Sequence, residues 1–145
     1  MSETSRHHRS VRVPAAQAGA VLEALVTTYA VKADALAAAA GAYQDTREPL
    51  TVVNDARREL AEAEDALETL GWRPGPPGGD LELAGPAGLV REVLYGALLG
   101  AAEAVGERCR EYEAGGADAG ALAGAVSDVV VLHRLFAVVE VAEEL

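Results

Sequence analysis

From residue 14 to residue 43 the apolar residues Leu22, Val26, Tyr29, Ala33, Leu36, Ala40 and Tyr43 recur at alternating steps of four and three, which marks one face of a helix. Pro14 suits a first helical turn, and the alanine-rich run at 35–40 has the highest intrinsic helix preference available. Gly41 and the polar residues Gln44, Asp45, Thr46 and Arg47 interrupt the pattern. Asp45 and Glu48 have the spacing of a capping box that would open a second helix. In that helix Val53, Ala56, Leu60, Ala63, Leu67 and Leu70 repeat the stripe, while Asp55, Arg58, Glu62, Asp65 and Glu68 point elsewhere. Gly71 suits the left-handed position just past a helix end, with Trp72 placed to pack back on Leu67.

The sequence then breaks. Nine of the sixteen residues at 71–86 are Gly or Pro, and no helix passes through Pro74, Gly75, Pro76, Pro77, Gly78 and Gly79. Within this connection Arg73, Leu81 and Leu83 are the residues able to make a specific contact. Leu81 and Leu83 have a second reading, as a lid over one end of the helices.

Pro86 opens a third helix with the stripe Val90, Leu94, Leu98, Ala101, Val105, Cys109 and Tyr112. Gly96, Gly100 and Ala104 lie beside that stripe and would let a partner backbone come close. Gly115 and Gly116 make a turn, and Asp118 is placed to cap a fourth helix reaching the end of the chain. Almost every residue from 128 to 140 of this helix is apolar. A helix apolar beyond one stripe is buried on more than one side.

These patterns predict an all-α, up-down-up-down four-helix bundle with a long Gly/Pro-rich connection between helices 2 and 3. The division is a disordered basic tail at 1–12 and one domain at 13–145, built of two hairpins at 14–70 and 86–145. The surplus apolar surface of the fourth helix predicts a homodimer or another protein partner, with Val130, Val131, Leu135, Val138 and Val141 as the candidate interface. Burial within one chain, beneath the Gly/Pro-rich connection, is the competing expectation.

Composition narrows the function classes. With 145 residues and a net charge of -11, the acidic body repels phosphate backbones, so nucleic-acid binding by the folded part is not expected. No apolar run of the ~18 residues needed to span a bilayer stands out, and no secretory signal is expected. One cysteine, Cys109, rules out an intramolecular disulfide, and a cytoplasmic location follows.

Candidate chemistry is sparse. His133 has no second histidine or cysteine partner that would complete a ligand set, and no Glu-x-x-His occurs. Cys109 has no base that sequence can place beside it, and no phosphate loop surrounds Lys32, the only lysine. Glu59, Glu62 and Asp65 lie at three-residue spacing, which is similar to the acidic helices of all-α nucleotide pyrophosphohydrolases. That resemblance would imply magnesium-dependent phosphate chemistry, with Glu103 on the third helix as a further acid. Glu103 and Glu107 are four apart, however, where that family carries Glu-x-x-Asp. No catalytic residue, cofactor or metal is therefore assigned, and a small metal-dependent nucleotide- or phosphate-binding protein is the alternative reading.

Overall fold

A computed structural model describes residues 8–46, 49–70, 79–116 and 118–144, with side chains at 46 and 140–144 left aside. Among the described residues the protein has four helices and one two-stranded sheet, in the order β1 (His8–Val13), α1 (Ala15–Thr46), α2 (Leu50–Thr69), β2 (Leu81–Pro86), α3 (Ala87–Glu113) and α4 (Ala119–Glu144). The helical part of the expectation holds at this level. Gly71, Trp72 and Arg73 lie outside the described residues, as does most of the Gly/Pro-rich connection.

The sheet corrects two expectations. Residues 8–12 are not a disordered tail but strand, and 81–85 are not linker but its antiparallel partner. Both segments alternate. Val11 and Val13 face inward between outward Ser10 and Arg12, and Leu81, Leu83 and Gly85 face inward on either side of outward Glu82. The register sets Val13 opposite Leu81 and Val11 opposite Leu83, while on the outer face the Ser10 hydroxyl donates to Glu82 Oε2 at 2.6 Å. Two strands alone are marginal in water, and this pair is stable because its apolar face lies on the helices. Leu81 and Leu83 are thus core residues, in agreement with the lid reading and not with a surface contact.

Pro14 and Pro86 end the strands and start α1 and α3, since proline lacks the amide a strand would use and already has a helical φ. Asp80 Oδ1 accepts the Ala15 amide at 3.0 Å, so a residue distant in sequence caps α1. At the other turn the Ala121 amide donates to Asp118 Oδ1 at 2.8 Å, as the sequence predicts, and Gly115 takes a φ of 81°. Asp45 does not open α2: it lies in the last turn of α1, which runs through Gly41, and the residue before α2 is Pro49.

The core gathers at the sheet end. Val21, Leu22 and Leu25 of α1, Ala63 and Leu67 of α2, Val90, Val93 and Leu94 of α3, and Leu132 and Val139 of α4 close over Val13 and Leu83. Farther along, the alanine-rich helices are only half-buried. Leu25 belongs to the buried face of α1 whereas Val26, 49% exposed, does not.

Within the helices, α2 packs on α1, α4 packs on α3, and α1 crosses α3. An up-down-up-down bundle would run α1 parallel to α3. Ala24 adjoins Gly96 at the crossing, yet Lys32, about 12 Å further along α1, pairs with Glu92, about 6 Å back along α3. Parallel helices would hold those two residues roughly 18 Å apart, beyond side-chain reach. The two helices therefore pass in opposite directions.

A β-carbon built at Gly96 lies 3.8 Å from that of Ala24, an ordinary contact and the mean separation across a disulfide. Ala24→Cys with Gly96→Cys, in a Cys109→Ser background, is expected to form an intrachain disulfide on oxidation. Faster migration on a non-reducing gel and about 2–4 kcal/mol of added stability would report it.

Candidate functional site

Three helices meet at Lys32. Its ammonium donates to Glu59 Oε1 of α2 at 2.8 Å and pairs with Glu92 Oε1 of α3 at 3.1 Å, and its side chain is only 17% exposed. Lys32 follows Leu25 by seven residues and Thr28 by four, so it falls on the buried face of α1, and Glu92 lies in the second turn of α3. Burial pulls the lysine pKa down, but the hydrogen bonds and charges of Glu59 and Glu92 outweigh it and hold the value above the usual 10.5. The surrounding crevice, about 260 Å³, also takes in Glu62, Pro86, Gly88, Leu89 and Arg91.

This geometry keeps Glu59 and Glu62 on one crevice and parts Glu103 from them. Glu59 is occupied by Lys32, Glu62 lines the crevice, and Glu103 is exposed on α3 about 16 Å along the axis from Glu92. Among the described residues no group of three or more His, Cys, Asp or Glu side chains is placed to hold a metal ion. Glu92 is the member of the cluster that sequence reasoning missed. Its pairing depends on the antiparallel α1–α3 crossing, for which the helix patterns carry no signal.

Cys109 is half-buried on α3, with Sγ 3.8 Å from Glu113 Oε1. Its neighbour is an anion, not the base and electropositive surroundings a catalytic thiolate needs. His133 is exposed on α4. The neighbouring Arg108–Glu111 pair is an exposed contact within one helix turn.

The candidate interface on α4 divides. Val130 and Val138 are 40% and 64% exposed, and Val126 joins them at 44%. Val131 is half-buried, and Leu135 is half-buried against the core. Val141 lies among the side chains left aside. Asp128 accepts the Nε2–H of the buried Gln17 at 2.8 Å, which ties α4 to α1. One sequence expectation needs correction. The span Ala119–Val139 is long and apolar enough to cross a membrane by length and composition, and only 17% of its most apolar window is buried.

A second groove, of about 390 Å³, is lined mostly by small residues of α1 and α3, among them Ala20, Gly96, Gly100 and Ala104, together with Glu23 and Asp128. Gly96 is not sterically required there, since a methyl group would fit.

Because the folded pKa of Lys32 is raised, its pairing stabilises the protein below the unfolded lysine pKa and is lost as pH rises through the folded one. Lys32→Met keeps the aliphatic stem and leaves two carboxylates without their cation. We expect it to lower Tm by about 2–4 °C at neutral pH, equivalent to about 1 kcal/mol for partly exposed pairs. The difference from wild type should narrow in thermal melts above pH 10.5.

No family model matches this chain, and neither the curated proteins nor the solved structures contain a match to it.

Proposed function

We propose that this is a non-enzymatic helical protein that acts through protein–protein contact, with the outer face of α4 seated on a second copy of the chain. The observation that carries the reading is the contrast between the two outer helices. On α2 the exposed residues Asn54, Asp55, Arg58 and Asp65 are polar, and its exposed large apolar residues, Leu50 and Val52, are confined to the first turn. On α4 Val126, Val130 and Val138 occupy the outward face, within about a third of the circumference at 100° per residue. Exposed apolar surface gathered on one side of a helix marks an association site, here with the exposed Arg134 between Val130 and Val138, and self-association through one patch is the commonest way to cover it.

The body's charge and its lone half-buried cysteine fit a soluble, cytoplasmic protein with no affinity for nucleic acid. The metal-dependent phosphate reading has less support, because Glu59 holds Lys32 and Glu103 is remote from both.

Light scattering at low micromolar concentration should give twice the chain's 14.9 kDa. Val130→Glu should raise the dimer Kd about 100-fold, which corresponds to about 2.7 kcal/mol, while Arg58→Glu on α2 leaves the mass unchanged. A monomer at all concentrations removes the reading, and flotation of the wild-type chain with phospholipid vesicles would replace the second copy by a lipid surface.

Melting curves bear on the alternative. Magnesium, manganese and nucleoside triphosphates are expected to leave Tm unchanged, since only a ligand that binds the native state raises it.

A further inference from the structure

Each half of the molecule runs strand, proline, helix, helix. An advance of 72 residues carries Pro14 onto Pro86 and Ala15, the first residue of α1, onto Ala87, the first of α3. Apolar positions follow the same step: Val21 onto Val93, Leu22 onto Leu94, Leu60 onto Leu132, and Leu67 onto Val139, with Leu60 half-buried and the others buried. The inward side of β1 likewise falls on the inward side of β2, since Val11 and Val13 map to Leu83 and Gly85.

Spatial contacts give the same step independently. In the sheet Val11 pairs with Leu83, and at the helix crossing Ala24 adjoins Gly96. Each of these residues meets its own equivalent 72 positions on. A residue can meet its equivalent only on a two-fold axis, so both contacts mark one axis through the sheet and the helix crossing. The flanks agree: Lys32 pairs with Glu92 on one side, and their equivalents Ala104 and Ala20 line one groove on the other.

We infer that residues 8–70 and 80–142 are two copies of one β-α-α unit fused in tandem, and that the seam between them is a homodimer interface carried within a single chain. Antiparallel strand pairing and antiparallel helix crossing are both self-complementary, as a two-fold interface requires. One unit of about 60 residues has an unpaired strand and only a marginal core of its own, so its natural partner is a second unit. The copies have diverged at the seam's flanks. One flank keeps an ionic lock through Lys32, and the other is a groove lined mostly by small residues.

A two-fold axis requires that the step from α4 back to β1 span the same distance as the step from α2 to β2. A ten-residue linker from Ala142 to Arg9 reproduces the ten residues between Leu70 and Leu81. A circularly permuted chain opened between Pro76 and Pro77 should therefore reach wild-type helicity by far-UV circular dichroism. Its Tm should fall within about 5 °C of wild type, and it should form the Ala24→Cys to Gly96→Cys disulfide. In the native order, a protease site inserted between Pro76 and Pro77 and then cut should leave the halves as a 1:1 complex at micromolar concentration. A permuted chain that lacks native helicity or the disulfide overturns the two-fold equivalence. Halves that part after cutting overturn the seam as an interface in its own right. Neither readout involves the outer face of α4, so this inference and the dimer reading stand or fall separately.

Discussion

The pairing of β1 with β2 is the constraint on which the rest of the structure depends. The strands are separated by 67 residues in sequence, yet their register places Val11, Val13, Leu81 and Leu83 on one apolar face, and the buried residues of all four helices collect against it. Each strand leads through a proline directly into a helix, so fixing the strands also fixes where α1 and α3 begin. The two helices then cross at Ala24 and Gly96, where small side chains let the backbones come near. With the outer helices carried on α1 and α3, a slip of one residue in the sheet would turn Val11 and Leu83 to solvent and misplace the whole core.

Polar contacts refine this arrangement and do not create it. Lys32 joins α1 to α2 and α3, Gln17 joins α1 to Asp128 of α4, and Asp80 caps α1 from the strand opposite. All three cross between elements far apart in sequence. Their carboxylates are partly exposed, which keeps each contribution near 1 kcal/mol, small beside the apolar core but enough to favour one packing of alanine-rich helices over its neighbours. Alanine surfaces are smooth, and such surfaces need directional contacts to hold a register.

The outer helices are where the halves differ in a way that bears on function. Along the middle of α2 the surface is polar at Asn54, Asp55 and Arg58, with Leu50 and Val52 exposed in its first turn, whereas on α4 Val126, Val130 and Val138 expose apolar area to water over a longer stretch.

Helix existence, the caps at Asp118 and Gly115, and the stripe of α2 with Ala63 and Leu67 were legible in the sequence, because capping and heptad spacing are local. The strands were not, although Val11, Val13, Leu81 and Leu83 alternate, since four to six residues of alternation acquire meaning only when a partner strand is known. The Lys32 cluster was hidden for the same reason: Glu59 and Glu103 were visible as acids, but which of them a cation would meet depended on a helix crossing. The sequence by itself determined that four helices form and where α3 and α4 begin, because those preferences act over a few residues, but it ended α1 too early at Gly41 and placed Val26 on its buried face. Tertiary structure alone decided that β1 pairs with β2, that α1 and α3 run in opposite directions and that Lys32 meets Glu92, because contacts across 60 or more residues follow from burying the shared core.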